Sequence, residues 1–331
     1  MKRLIFIAAC SVIFFTGCSA PETTSETYAL NTICSQQVTG AGAKEAADEV
    51  GSMLWDITNA MSMNEGSYVW AVNEAAPGAV NVSEETAEVI AEALYIAEET
   101  GGAFDPTIGA LTKLWDITGD PRVPDAEEIE SVLRLVDYRN VALDGTNAAL
   151  GKAGMRLDLG GIAKGYAADK AVKIYEKHGV ERALLNLGGN IYVYGEKPGG
   201  EKFRIGIRDP LGAEGEIAAV ISVSDTSVVT SGVYERFFES GGKIYHHIFD
   251  PKTGYPAENG LVSVTVVCKN SMRADALSTA LFVLGLEEGL EYARSRQDTQ
   301  AIFITRDRKI FLTDGLKESI EITNETYTIE S

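Results

Sequence analysis

Residues 273–284 are apolar almost all round, which marks a buried helix, yet Asp275, Ser278 and Thr279 sit on it at spacing i, i+3 and i+4. On a helix these three project from one face and can aim oxygen atoms at one point. Such a set suits Mg²⁺, which keeps waters and substrate phosphates in its shell. The same residues would equally cap the helix start and bond back to main-chain carbonyls, so this helix alone leaves both readings open.

Three other stretches have chemistry within reach. In residues 156–167 an acid, Asp158, and the pair Gly160-Gly161 stand directly ahead of a helix, a junction whose amides can approach an anion. A tight turn capped by Asp158 is the other reading. Leu187-Gly188-Gly189-Asn190 follows an apolar strand and reads as a hairpin turn or a close approach of backbone to a ligand. No GxGxxG follows a strand, which removes the main support for a dinucleotide fold of the Rossmann type. His246 and His247, two of only three histidines, end a strand ahead of Asp250-Pro251. Alternation turns one ring inward and the other outward. A strand-end His near an Asp serves as a general base or as a structural ring bonded to the turn.

The elements that must position these residues are legible from periodicity. Apolar residues at three- and four-residue spacing predict helices over 43–63 and 83–100, the second starting at Ser83 and stopping at Gly101-Gly102. Short apolar runs with turn residues between them predict strands at 183–187, 191–194, 203–207, 217–223, 244–249 and 262–267. Helices are expected at 162–178 and 271–284. This pattern is α+β with mostly antiparallel sheets and flanking helices, in one domain with room for two lobes.

The chain has 331 residues, 45% of them hydrophobic, and a formal charge of −19 without a dense Lys/Arg run. That length supports a full catalytic core, and the charge argues against nucleic-acid binding. An acidic protein that handles phosphates needs a local cation. Met1-Lys2-Arg3, an apolar run over residues 4–15, and Thr16-Gly17-Cys18 form an export signal too short to span a membrane. It resembles a bacterial lipobox, which makes Cys18 the lipidation site and places the protein at the extracytoplasmic face of the cytoplasmic membrane. A plain secretory signal cut elsewhere is the alternative. Residues 1–17 are read as signal peptide, 18–27 as polar tether and 28–331 as one domain. Cys34 and Cys268 lie among β-prone apolar residues and read as buried thiols rather than a bridge.

Taken together and in order, Ala103-Phe104-Asp105-Pro106-Thr107-Ile108-Gly109, residues 158–167, residues 186–190, Thr230-Ser231-Gly232, residues 247–256, and Ala274-Asp275 with Thr279 resemble the ApbE family of FAD:protein FMN transferases. The resemblance implies a T-fold-related architecture with an FAD cleft between two lobes. It implies that Ala103, Phe104, Asp105, Asp158, Lys164 and Ile248 line the flavin nucleotide. Leu30 stands where relatives carry a Met, and Met63 near where they often carry an aromatic ring. Mg²⁺ would be held by Asp275, Thr279 and Ser278 with a main-chain oxygen near Gly161, and His247 would be catalytic together with Asp275. The implied reaction moves FMN from FAD to a Thr or Ser hydroxyl of an acceptor redox protein and releases AMP. A metal-dependent FAD pyrophosphatase and a non-catalytic FAD-binding lipoprotein are the competing readings.

Overall fold

The computed structural model describes residues 20–330. The expected signal peptide and the lipidation candidate Cys18 lie outside the described residues. Among the described residues no helix is long and apolar enough to cross a membrane.

Strands β1 (Glu22–Ala29) and β2 (Thr32–Gly40) form a hairpin whose turn residues Leu30 and Asn31 both have positive φ, 52° and 57°. The polar tether expected over 18–27 is therefore corrected, because Glu22 onward is sheet. Its alternating Thr, Glu and Ser residues pair with β2 at the edge of the sheet, where one face meets solvent and apolar content is not required. Helix α1 (Ala43–Met61) follows as predicted, then α2 (Tyr68–Ala75), which periodicity did not reveal because it is only eight residues long. After β3 (Ala79–Asn81), α3 (Glu84–Glu99) starts where Ser83 accepts the N–H of Thr86 at 3.1 Å. Two further short helices, α4 (Gly109–Trp115) and α5 (Ala126–Leu133), precede the β4 (Val141–Asp144) and β5 (Asn147–Leu150) hairpin.

Helix α6 (Ala163–Lys177) leads into the hairpin of β6 (Val180–Leu187) and β7 (Asn190–Tyr194), whose turn is Gly188-Gly189. Then come β8 (Phe203–Arg208), β9 (Ile217–Val223) and β10 (Thr226–Gly232). Strands β11 (Phe237–Ser240) and β12 (Lys243–His246) make a separate hairpin, so the strand expected to reach Phe249 stops at His246. Strand β13 (Leu261–Cys268) is buried along its whole length. Helix α7 (Ser271–Ser295) breaks at Gly285, φ 82°, and Asn259 Nδ2 donates to the freed carbonyl of Phe282 at 2.6 Å. The chain ends with β14 (Thr299–Thr305), β15 (Lys309–Leu312), β16 (Ile320–Ile322) and β17 (Thr328–Glu330).

The central sheet has nine strands in the order β1-β2-β6-β7-β10-β13-β14-β15-β17, antiparallel except for β15 with β17. Helices α1, α6 and α7 cover one face and share the largest apolar core with it. The three-stranded sheet β16-β9-β8 covers the other face over a second core that includes Ile205, Ile207 and Val228. A third core gathers around Trp115 of α4, whose ring centroid lies 5.5 Å from that of Tyr245 and 5.7 Å from that of Phe249. The overall class is α+β with mostly antiparallel sheets. Cys34 and Cys268 are buried free thiols, and burial pushes Cys34 up to about 11.

Candidate active site

One large cleft, of about 1230 Å³, opens where the β1–β2 and β6–β7 turns, the end of β10, the start of α6 and the middle of α7 meet. It runs from the Trp115 lobe to the β8 edge. Lys113, Arg156, Lys164, Arg208 and Arg236 contribute to its wall beside a larger set of carboxylates that includes Asp105, Asp158, Glu235 and Asp275, so an anionic ligand there needs cations placed locally.

The glycine turn and the late helix come together. A Cβ added at Gly161 would stand 3.7 Å from Thr279 Oγ1, an ordinary contact, and 3.2 Å from Phe104 Cε2, a tight one, so the turn, the ring and the helix meet within van der Waals reach. Asp158 holds the turn from inside: its Oδ1 accepts the Gly160 N–H at 2.9 Å and its Oδ2 accepts the Thr112 hydroxyl at 3.0 Å. Lys164 Nζ lies 3.4 Å from Asp275 Oδ1 and donates to the Gly160 carbonyl at 3.2 Å, placing an ammonium between turn and helix.

Helices α6 and α7 cap one another. Asp275 Oδ2 accepts the Gly165 N–H at 2.9 Å, and Asp169 accepts the N–H groups of Ser271 and Met272, each at 2.8 Å. Asp275 is thus not the cap of its own helix; Asn270 is, accepting the Arg273 N–H at 2.7 Å. Burial pushes the Asp169 carboxyl up to about 6.

Ser278 departs from the expected face. It is fully buried, donates to the Asp275 carbonyl at 2.8 Å and shares a 2.7 Å bond with Ser231. Only Asp275 and Thr279, one turn apart, line the cleft. Leu30 is a second correction. The positive-φ turn directs its N–H to Thr58 Oγ1 at 2.9 Å and packs its side chain on the main core, so Asn31 and Thr32 line the cleft in its place. Met63, Ala103, Phe104, Asp105, Asp158, Gly161, Lys164, His247 and Ile248 do line it. Asp105 does so with both carboxylate oxygens committed: Oδ1 accepts from the N–H and hydroxyl of Thr107 at 2.8 and 2.6 Å, and Oδ2 from the Tyr138 N–H at 3.0 Å. Burial raises its pKa.

The two histidines divide as alternation requires. His246 is buried, with Nε2 bonded to the Ala257 carbonyl at 3.2 Å and Nδ1 accepting the Ile248 N–H at 3.3 Å. His247 faces the cleft. Its Nδ1 lies 3.3 Å from the Arg236 carbonyl; a carbonyl only accepts, so Nδ1 carries the proton and Nε2 keeps a free lone pair. Crowding by the cleft walls, and then the nearby Arg236, lowers the pKa of His247 and favours the neutral ring, by less than full burial would because one side of the ring is open to solvent. Glu235 lines the same region with one flank open to solvent. The surrounding walls raise its carboxyl pKa against the pull of Lys164 and Arg236, a shift that its open flank limits. Glu235 and Arg236 were missed in the sequence, although they follow the Thr230-Ser231-Gly232 stretch within four residues.

Among the described residues, no three His, Cys, Asp or Glu side chains converge as a metal cage. The donors present at the turn and helix are one carboxylate, one hydroxyl and main-chain oxygen. That set fits a hard cation that takes the rest of its shell from water and a substrate's phosphates.

Fold and cleft together define an α+β protein built around one long cleft of mixed charge, where a glycine turn, a buried helix with Asp275 and Thr279, Lys164 and an imidazole meet. The chain belongs to the ApbE family, whose family model matches residues 30–303. It is 38% identical over 323 residues to the FAD:protein FMN transferase of Treponema pallidum, covering 91% of this chain and 89% of the relative. It is 42% identical over 250 residues to that of Klebsiella pneumoniae, covering 74% and 77%. The crystal structure of the ApbE protein from Thermotoga maritima superposes with a TM-score of 0.80 at 35% identity, over 92% of this chain and 98% of that one.

Proposed function

We propose that the chain is an FAD:protein FMN transferase, which moves FMN from FAD onto an acceptor protein and releases AMP. The observation that carries this reading is the convergence of the Gly161 turn with Thr279 and Asp275 at the centre of the cleft. Relatives at 38% and 42% identity bear that activity in their names.

The finer reading has Mg²⁺ as the cation, held by Asp275, Thr279 and the Gly161 main chain, where it would draw charge from the diphosphate and stabilise the departing AMP. Lys164 neutralises a phosphate oxygen beside it. The acceptor's Thr or Ser hydroxyl attacks the phosphorus on the FMN side, a P–O bond to the acceptor forms, and the bond to the AMP phosphate breaks. His247 Nε2, whose lone pair the Nδ1 bond to the Arg236 carbonyl leaves free, accepts the hydroxyl proton as it leaves the attacking oxygen. Asp105, with its oxygens engaged, holds the Ala103-Phe104 wall in place and takes no part in proton transfer. Cys18 as a lipid anchor would hold the enzyme at the extracytoplasmic face of the membrane, close to exported redox acceptors.

The test combines the protein with FAD, MgCl₂ and a recombinant FMN-accepting domain of an exported redox protein, read by intact mass and AMP release. Transfer predicts an acceptor heavier by one FMN and AMP that depends on the acceptor. AMP without acceptor would indicate a pyrophosphatase. No AMP under either condition would indicate storage and end the transferase reading.

A further inference from the structure

The cleft is larger than the roughly 300–1,000 Å³ that usually serves one small molecule. The part toward the second sheet contains none of the residues assigned above to FAD or the cation. Consecutive residues Ile205, Gly206, Ile207 and Arg208 of β8 all line it. Successive side chains of a strand point to opposite faces, and Ile205 and Ile207 are buried in the second core. A cleft that touches all four therefore sees the strand edge-on. That edge is free, because β8 is the outer strand of β16-β9-β8.

At the end of the edge sits a prepared cation. The Arg208 guanidinium carbon lies 4.3 Å over the Tyr234 ring, and its Nε is buried with no hydrogen-bond partner. The ring itself is fixed: a Cβ at Gly232 would come within 2.8 Å of Tyr234 Cζ, so glycine there lets the ring lie against the strand end. A buried guanidinium N–H without an acceptor is costly, which leaves the Arg208 head group ready to turn toward a ligand oxygen that enters the cleft. Glu235, next to Tyr234 in the chain, continues this wall toward Lys164 and Asp275.

We propose, building on the transferase reading, that this arm of the cleft binds the hydroxyl-bearing segment of the acceptor protein. The segment lies extended along the free edge of β8, with one of its oxygens accepting from Arg208. Main-chain pairing to an open sheet edge supplies affinity with little sequence demand, and Arg208 fixes how far along the edge the segment sits. The reaction needs a protein hydroxyl delivered beside His247, and this arm is continuous with that point.

The experiment compares wild type, Arg208→Gln and Arg208→Lys with saturating MgCl₂ and the same recombinant FMN-accepting domain. It measures KM for the domain, KM for FAD and thermal melting. If wild type transfers no FMN, the transferase reading fails before this one is reached. With wild type active, we expect Arg208→Gln to raise KM for the domain about tenfold, KM for FAD to stay within twofold, and Arg208→Lys to fall between. A rise in KM for FAD matching that for the domain would assign Arg208 to the dinucleotide and overturn the proposal. Unchanged KM values in a folded Arg208→Gln protein would overturn it too. If Arg208→Gln melts below the assay temperature, the Arg208→Lys values decide by the same criteria.

Discussion

Asp275 of α7 accepts the backbone N–H of Gly165 in α6 at 2.9 Å, while Asp169 of α6 accepts two N–H groups at the start of α7. Each helix completes the other's unsatisfied first turn. The residue proposed to hold the cation is therefore also a structural cap, and the two roles occupy different oxygens: Oδ2 faces Gly165 and Oδ1 faces Lys164.

Those roles separate by substitution. Asp275→Asn keeps an oxygen for Gly165 but loses the charge, so AMP release should fall by roughly 10²–10³-fold, the scale of a lost electrostatic contact at a reacting centre, with little change in melting. Asp275→Ala should add a stability loss of about 1–3 kcal/mol for the orphaned N–H. Rates measured against MgCl₂ concentration, with thermal melts alongside, check both. A wild-type rate in Asp275→Asn would remove Asp275 from the cation's shell.

Gly165 tests the crossing of the two helices. A Cβ there would come within 2.6 Å of Met272 Cα, backbone that cannot rotate away. Gly165→Ala should cost about 3 kcal/mol, the upper end for overpacking, despite the better helix propensity of alanine. Urea denaturation reads this directly, and an unchanged midpoint would mean the helices do not meet so closely.

His246 gives a pH signature. Burial lowers it from 6.5 to about 4, and protonating Nδ1 would break its bond from the Ile248 N–H. The folded pKa lies below the unfolded one, so this ring's contribution is fully present above about pH 6.5. It is lost as pH falls through about 4, up to about 3 kcal/mol in all. The His246 ring resonances should show no titration above about pH 5. A midpoint near 6.5 would contradict the buried, doubly bonded ring.

Much of this was legible in the residues. The long helices announced themselves by apolar spacing, and Ser83 and Gly101 marked the two ends of α3. Even the helix expected to stop at Leu284 stops at a real feature, the break at Gly285. The motif residues around Gly161, Asp275 and His247 do converge. What failed has definite causes. An edge strand of alternating polar residues looks like a tether because half of it never leaves solvent. Ser278 lies on the expected helical stripe, but a stripe is about 100° wide, and strand β10 with Ser231 claims one side of it. Arg208 stands out only once the sheets are stacked, since nothing local distinguishes an arginine at the end of an edge strand.

The β11–β12 hairpin carries Arg236 and His247 at its feet, where the Arg236 carbonyl meets both the main-chain N–H and the ring of His247. Its tip, Gly241-Gly242, lies beyond four paired rungs, so a reporter attached there would ride about 10–14 Å from the imidazole. Both cysteines among the described residues are buried, so with Cys10 and Cys18 replaced by Ser a thiol-reactive dye would find a single cysteine introduced at the exposed Ser240. Such a dye would report a change of surroundings at the hairpin when a ligand enters, without itself entering the chemistry below it.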